Sequence, residues 1–141
     1  MAANYSDIEK ALIKGYTDLA LGYPTSYPAA ELDPNNQPSD APWIALHNLR
    51  AESLPATLGN QGEDNHPGLF QIDINTPKNK GSGQSLQIAD TILGSFTSGN
   101  TLIYNAQEVK ISSTSLSPGR YIGGFYRVSV TITYYARTTR N

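Results

Sequence analysis

The sequence predicts an α+β fold: a mostly antiparallel β-sheet with two α-helices packed on one face, in the order α-β-β-α-β-β. Residues 8–20 and 86–96 place apolar side chains at the three-to-four spacing of an amphipathic helix. Residues 69–75 and 126–134 alternate apolar and polar side chains with a period of two, which is typical of a strand with one buried face. Together these patterns predict a layer of helices against one sheet.

The first predicted helix begins at a capping box, in which Ser6 accepts a backbone N–H bond and Glu9 reaches back to the cap. Gly22 followed by Pro24 indicates its end. Its apolar side consists of Ile8, Leu12, Ile13, Tyr16, Leu19 and Ala20. The second helix buries Leu86, Ala89, Leu93 and Phe96 and ends near the turn at residues 97–100.

Five strand patterns complete the prediction. Residues 43–49 and 69–75 are expected to pair antiparallel, and short strands follow near residues 102–104 and 108–111. The final strand is the most pronounced, because its β-branched and aromatic residues alternate regularly with polar ones. Its buried side is predicted to contain Tyr126, Val128, Val130, Ile132 and Tyr134.

The length of 141 residues predicts a single domain over residues 1–141. Residues 23–42 carry five of the nine prolines (24, 28, 34, 38 and 42) and are predicted to form an extended, ordered arm. Residues 55–67 have no apolar periodicity, so we expect a mobile loop that orders against a partner.

Composition limits the possible functions. Ten Lys and Arg against twelve Asp and Glu give a net charge of −2, which argues against a broad nucleic-acid-binding surface. The chain has no cysteine, so disulfides, cysteine zinc sites and thiol nucleophiles are excluded. No segment approaches the roughly 20 apolar residues that span a bilayer, and the N-terminus does not follow the pattern of a secretion signal. Secretion and membrane insertion are therefore not expected.

Charge is distributed unevenly along the sequence. Residues 1–52 hold seven acids against three Lys or Arg, whereas residues 109–141 hold five Lys or Arg and no acid. One interpretation is two solvated surfaces that differ in sign. The other is head-to-tail association, in which the acidic face of one copy meets the basic face of another.

The residues do not predict catalysis. In the stretch "GLFQIDINTPKNKGSG", Lys78 and Lys80 precede their glycines, whereas a phosphate-binding loop needs the glycines first. Glu63, Asp64 and His66 provide too few fixed ligands for a metal site. We therefore expect a protein that is not an enzyme, with no catalytic, cofactor or metal residues.

The order of several motifs resembles a known family. "YPAAELDP" at 27–34, an apolar strand at 43–46, "GLFQIDINTP" at 68–77, "LQIADTILGSF" at 86–96 and the closing "YRVSVTITYYA" follow one another over roughly residues 5–137. This arrangement is similar to the lambda-like tail terminator family, the tail completion or head–tail joining proteins of long-tailed bacteriophages. Ala29 and Leu32 depart from the family pattern in the arm.

The resemblance implies a structural virion protein at the head-proximal end of the tail, assembled in the host cytoplasm. Such proteins form oligomeric rings, usually hexamers, that cap the tail tube and stop its polymerisation. Its implied partners are other copies of itself, the tail tube protein and the head-side connector or neck protein, with no membrane and no cofactor. DNA passes through the ring without specific binding. The alternatives are a neck, head-closure or tail-completion protein, and a small ligand-binding or enzymatic α+β domain.

Two groups of residues are expected to make the contacts with partners. The first lies in the predicted mobile loop and comprises Leu58, Asn60, Gln61, Glu63, Asp64 and His66. The second comprises Arg127 and Arg137, which are predicted to meet acids such as Glu9 or Asp18 of a neighbouring copy.

Overall fold

The computed structural model describes residues 4–30, 41–79 and 81–139 as two helices and eight strands. The helices are α1 (Tyr5–Thr17) and α2 (Gly83–Ser95). The strands are β1 (Thr25–Ser26), β2 (Trp43–Arg50), β3 (Leu54–Pro55), β4 (Glu63–Pro77), β5 (Thr101–Tyr104), β6 (Gln107–Leu116), β7 (Arg120–Ile122) and β8 (Phe125–Thr139).

The predicted fold class is wrong. Strands make up 49% and helices 21% of the described residues, and the eight strands form one curled mixed sheet rather than a mostly antiparallel sheet of α-β-β-α-β-β order. The sheet order is β1-β2-β4-β8-β6-β5, with β3 added beside β4 and β7 beside β8. β1 runs parallel to β2. Strands of two or three residues are too short to show a period of two, so the sequence pattern could not reveal β1, β3 or β7.

The longest feature of the sheet is the pairing of β4 with β8. Both strands have 15 residues, and they pair antiparallel from Glu63↔Thr139 to Pro77↔Phe125. At about 3.3 Å per residue, this ladder is about 45 Å long. Alternating hydrophobicity predicted only residues 69–75 of β4 and 126–134 of β8, because outside these ranges the strands are held by pairing with each other.

One apolar core lies between the helices and one face of the sheet. Both helices contribute to it, together with side chains from β2, β4, β6 and β8. Its fully buried members include Leu12, Ile44, Phe70, Ile72, Ile74, Ile92, Phe96, Val109, Val130 and Ile132. Fully burying side chains of this size contributes about 1.5–3 kcal/mol each, so this face holds the sheet and helices together.

Helix α1 begins earlier than the capping box predicted. Its N-cap is Asn4, whose carbonyl oxygen accepts the Ile8 N–H at 3.1 Å, and no side chain caps the helix. Ser6 therefore lies inside the first turn. The helix ends at Thr17, and Ala20 and Gly22 follow with positive φ values of 51° and 80°. These left-handed residues turn the chain away from the helix axis.

The structure also shows that parts of the two predicted irregular segments belong to strands. In the arm at 23–42, the described part includes β1, where Thr25 pairs with Ile44, while residues 31–40 lie outside the described residues. In the loop at 55–67, β4 already begins at Glu63. Residues 56–62 therefore connect β3 to β4, and the mobility of this connection stays a prediction.

Candidate interaction surfaces

A hairpin rich in carboxylates occupies one end of the β4–β8 ladder. We define the acidic hairpin as residues 51–65, which contain three carboxylates, on Glu52, Glu63 and Asp64, and no Lys or Arg. The backbone N–H of Glu63 donates to Thr57 Oγ1 at 2.6 Å, which helps close the turn. Leu58 projects from the turn with 94% of its surface exposed.

The residues predicted in this hairpin divide into two groups. Leu58, Asn60 and Gln61 lie in the exposed turn, as the sequence suggested. Glu63 and Asp64 instead belong to β4, where they pair with Thr139 and Thr138. The structure therefore brings five of the predicted residues to one end of the sheet, and a sixth, His66, lies just behind them.

His66 faces the interior rather than a partner. It is 5% exposed, and its ring nitrogens lie 2.7 Å from Ser53 Oγ and 2.7 Å from Thr138 Oγ1. The Tyr5 ring packs edge-on at a centroid distance of 5.2 Å. These contacts join His66 on β4 to β8 and to the start of α1.

A second hairpin occupies the opposite end of the ladder. We define the basic hairpin as residues 118–127, which contain Arg120 and Arg127 and no carboxylate. Tyr121 is 66% exposed, and Lys78 Nζ lies 5.8 Å from the centre of its ring. Sequence reasoning missed this surface, because "PGRYIGGFY" has no alternating hydrophobicity to mark β7.

The two predicted arginines lie far apart. Arg127 and Arg137 are ten residues apart on β8, which corresponds to about 33 Å. Arg127 Nε donates to Asn75 Oδ1 at 2.7 Å, and its side chain is only 20% exposed. Arg137 is 53% exposed, and its guanidinium lies 3.9 Å from a Glu63 carboxylate oxygen.

The proposed acidic partners of these arginines have contacts within the same chain. A Glu9 carboxylate oxygen accepts bonds from Arg50 and Asn48, both at 3.1 Å. Asp18 pairs with Lys14 at 2.8 Å. Contact of these acids with a neighbouring copy stays a prediction, and it would have to compete with these bonds.

A polar network lies on the sheet face opposite the apolar core. Its centre is Asp73, which is 3% exposed and accepts hydrogen bonds from Ser129 at 2.6 Å and Gln71 at 2.8 Å. His47 lies 3.1 Å from the other carboxylate oxygen, and Arg127 lies 3.9 Å from it. The alternation of apolar and polar side chains predicted that these residues are polar and lie on the outer face. Which of them contact one another depends on the register of β2, β4 and β8.

Among the described residues, Asp73 and Ser129 do not form part of a catalytic triad. Ser129 donates to Asp73 directly, so no histidine stands between them to act as the base of a nucleophilic serine. Within residues 4–30, 41–79 and 81–139, no three His, Asp or Glu side chains are grouped so that they could hold a metal ion. In the same residues, no helix is long and apolar enough to cross a membrane.

Comparison with known proteins decides the family. A model of a phage tail terminator protein family matches residues 7–134. The chain belongs to the phage tail terminator family. It is therefore a structural bacteriophage protein of the virion tail, and the resemblance drawn from its motifs is confirmed.

Solved structures support the fold of this tail terminator protein. One of them, of a protein whose name states no function, is 16% identical with a TM-score of 0.75, and the match covers 96% of each chain. It is one of 16 matching chains. No functionally curated protein matched. At this identity the similarity concerns the fold alone.

Family membership indicates that the protein has contact surfaces for other phage proteins. As a component of the phage tail, a tail terminator protein interacts with other tail or head proteins. Among the described residues of this terminator protein, the two large apolar side chains with the highest exposed fractions are Leu58 on the acidic hairpin, at 94%, and Tyr121 on the basic hairpin, at 66%. They are therefore its strongest candidate contact surfaces.

Proposed function

We propose that this tail terminator protein caps the finished tail tube as an oligomeric ring of six subunits, in the pattern of its family, and thereby stops tube polymerisation. The ring occupies the head-proximal end of the tail and offers its other side to the head-side connector or neck protein. The protein assembles in the host cytoplasm. Its role is structural and requires no catalytic step.

The observation that carries this proposal is the match of residues 7–134 to the terminator family, together with unlike surfaces on one chain. A closed ring needs two different surfaces on each subunit, because each copy contacts one neighbour with one surface and the other neighbour with the second. The acidic and basic hairpins differ in sequence, charge and position, so they are compatible with such a ring.

The charge balance supports passage of DNA through the ring without specific binding. With a net charge of −2, the chain has no excess of Lys and Arg over Asp and Glu to hold phosphates. Arg50 is paired with Glu9, and Arg127 contacts Asn75 and Asp73. An inner wall of the ring on which positive charges are paired with acids would not hold the DNA phosphates, so the DNA would slide through.

The residues proposed to make contacts in the ring lie at the two ends of the β4–β8 ladder of each subunit. Leu58, Asn60, Gln61, Glu63 and Asp64 contribute from the acidic hairpin, with Arg137 beside them. His66 and Arg127 contribute indirectly, because their hydrogen bonds hold the two hairpins in place.

The test is deletion of the gene in the phage that encodes the protein, followed by electron microscopy of tails and immunolabelling of complemented virions. We expect overlong or unjoined tails without the protein, and label at the head–tail junction when it is restored. Tails of normal length that fail to join heads would contradict capping and indicate a neck protein. Absence of label from every particle would contradict a virion role.

A narrower test addresses the acidic hairpin. Leu58→Ser removes its most exposed apolar side chain without affecting the core, so folding should be unchanged while capping is weakened. Ile103→Ser, at a position that is 57% exposed on β5, is the matched control. Equal tail lengths for the two variants would remove Leu58 from the proposed surface.

A further inference from the structure

The two longest strands extend beyond the rest of the sheet at one end. β4 and β8 pair without interruption as far as Glu63↔Thr139, whereas the pairing of β6 with β8 ends at Lys110↔Tyr135. Within the described residues, no strand pairs with residues 136–139 of β8 on the side away from β4. β8 is therefore an edge strand over its last four described residues, although it lies in the middle of the sheet elsewhere.

The register of β8 determines which backbone groups face this open edge. In an antiparallel strand, the N–H and C=O of one residue point to the same side, and those of successive residues point to opposite sides. Ser117, which follows β6, donates its N–H to the Ser129 carbonyl oxygen at 2.9 Å, and its Oγ accepts the Ser129 N–H at 2.9 Å. Because the pairing of β4 with β8 has no break, every second residue repeats this orientation. The N–H and C=O groups of Arg137 and Thr139 therefore also face away from β4.

A side-chain amide occupies part of the place of the missing strand. Gln107 Nε2 donates to the carbonyl oxygen of Arg137 at 3.1 Å and to that of Glu108 at 2.9 Å. Gln107 Oε1 accepts a hydrogen bond from Asn4 at 3.4 Å. In the part of the chain that the structure describes, no side chain accepts a hydrogen bond from the N–H of Arg137 or of Thr139. These backbone donors are available to a partner.

A groove with a volume of about 860 Å³ lies along the open edge. Residues 135–139 of β8 form one wall, and residues 105–108, at the turn between β5 and β6, form the other. Positive φ values of 49° at Asn105 and 66° at Ala106 have the signs of a tight type I′ turn. Nine of the twelve lining residues are polar or charged, whereas pockets for small molecules are lined mainly by apolar side chains. The groove is therefore better suited to a polypeptide backbone than to a small ligand.

The charges in the groove do not select an acidic or a basic partner. Two acids, Glu63 and Glu108, and two cations, Lys110 and Arg137, line it. Glu63 and Arg137 lie 3.9 Å apart across the groove wall. Because the signs balance, recognition depends on backbone hydrogen bonds, and the affinity for a partner should change little with ionic strength.

The shape of the groove favours a single extended chain over a strand from a second copy. A strand added beside β8 would lie between β8 and the turn that joins β5 to β6. All eight strands of the described residues are paired with a neighbour, so a second copy would bring another strand about 4.8 Å further from β8, where the turn lies. A segment that is unpaired before it binds brings no such neighbour. Members of this family interact with other tail or head proteins, which are the available sources of such a segment.

We propose that residues 136–139 of β8 bind an extended segment of another tail protein, which adds a strand to the sheet within the groove. The segment pairs with the backbone groups of Arg137 and Thr139 and replaces Gln107 at the Arg137 carbonyl oxygen. Main-chain hydrogen bonds provide the affinity, and side chains along the groove provide the specificity. The site rests on the proposed function for the presence of the protein in assembled tails, but it requires neither capping nor a ring of a particular size.

Amide hydrogen exchange, measured by mass spectrometry with single-residue fragmentation, compares the purified protein with the same protein in isolated, headless tails. We expect the N–H groups of Arg137 and Thr139 to exchange at least about tenfold more slowly in tails, because an amide bonded within a sheet exchanges only when the sheet opens locally. The N–H groups of Ala136 and Thr138 face β4 and should be slow in both samples. Equal exchange in the two samples would overturn the site. Protection in the concentrated purified protein alone, or only in complete virions, would overturn the assignment to another tail protein.

A proline substitution provides a second readout. Thr139→Pro removes an N–H that faces the groove and leaves the bonds between β8 and β4 in place, so the purified variant should melt like the wild type. Thr139→Ala removes the same side chain but retains the N–H, and is the matched control. In the gene-deleted phage, we expect the proline variant to enter tails at least about fivefold less than the alanine variant, because it lacks one backbone bond to the partner. Equal incorporation of the two variants would overturn backbone pairing at this edge.

The failure of this site is distinguishable from the failure of the proposed function. Tails of normal length that contain the protein but leave the Arg137 and Thr139 amides unprotected would overturn the site and leave capping intact. Normal tail length after deletion of the gene would overturn capping, whereas protection of these amides in tails would still support the site.

Discussion

The two faces of the β4–β8 ladder are buried by different means. On the inner face, Ile72, Ile74 and Val130 are at most marginally exposed and pack against the helices. On the outer face, Asp73 and Ser129 occupy the alternate positions of the same strands and are equally inaccessible, at 3% each. The inner face is stabilised by apolar area removed from water, whereas the outer face depends on satisfied hydrogen bonds.

This difference shows what each face tolerates. Apolar cores accept other apolar residues of similar volume at modest cost, because dispersion and burial are not directional. A buried carboxylate with specific donors accepts far fewer changes, since removing one partner leaves the others without bonds. We expect the inner face to determine whether the chain folds and the outer face to determine the register of β2, β4 and β8.

The largest effect is expected from a charge on the inner face. Val128 is 2% exposed, so Val128→Asp would bury an unpaired carboxylate at a cost of several kcal/mol, comparable with the stability of a whole domain. The variant should be unfolded or insoluble by circular dichroism. Thr133→Asp, on the outer face of the same strand, should remain folded. A soluble Val128→Asp protein with a cooperative melting transition would show that the two faces have been confused.

A smaller loss is expected from the outer network. Asp73→Ala removes the carboxylate that Ser129, Gln71, His47 and Arg127 surround, and should lower the free energy of unfolding by about 3 kcal/mol. Asp73→Asn retains an oxygen acceptor and should cost about half as much. Urea unfolding measures both. If the alanine variant matches the wild type within about 0.5 kcal/mol, the network does not stabilise the sheet.

A third change tests a close approach at the edge of the apolar core. Gly68 pairs with Tyr134 across β4 and β8, and a Cβ on Gly68 would lie 2.7 Å from the Tyr134 ring carbon that carries the hydroxyl. Gly68→Ala should therefore cost about 1–3 kcal/mol, because the ring must move from its hydrogen bond with Asn48. Gly94→Ala, at a helical glycine with open space around its Cβ, is the control and should not destabilise the protein. A Gly68→Ala variant as stable as the wild type would show that the ring moves freely.

The smallest effect concerns alkaline pH. Burial raises the pKa of the Tyr134 hydroxyl above its ordinary value of 10.0, and burial likewise raises the pKa of Tyr16. Because the folded-state pKa exceeds that of the unfolded chain, the stabilisation is complete below about pH 10 and is lost as the pH rises through the folded-state pKa.

Tyr134→Phe should make this alkaline decline shallower by up to about 1.4 kcal/mol per pH unit, while Tyr16 maintains part of it. Urea unfolding across this pH range measures the slope, and Tyr121→Phe, at an exposed position, is the control. Equal slopes for the wild type and Tyr134→Phe would exclude this tyrosine as a source of the pH dependence.

Part of the fold followed from local patterns. The apolar spacing of Ile8, Leu12 and Tyr16 predicted α1, and the alternation ending at Tyr134 predicted the buried side of β8. For these elements the information lies within a few residues along the chain, where helical or strand periodicity is expressed directly. The family was predicted from the order of several motifs over roughly residues 5–137.

The remaining features depended on contacts between distant segments. β1, β3 and β7 are strands only because β2, β4 and β8 supply their hydrogen-bond partners. The capping box at Ser6 was a valid local signal, but the helix begins at Tyr5 because Asn4 provides the first backbone acceptor. These features depend on which backbone groups form hydrogen bonds with each other, and a pattern of side chains along the sequence does not predict that.

For the candidate surfaces, the sequence by itself determined the types of residue and their charges: Leu58 close to carboxylates along the chain, and two glycines close to Tyr121 and Arg120. Only the tertiary structure decided where they lie. The antiparallel pairing of two long strands places the acidic and basic hairpins at opposite ends of one sheet, and it buries Asp73 and His66 among their partners. Register determines which residues meet, and it arises from the packing of the whole sheet rather than from any one segment.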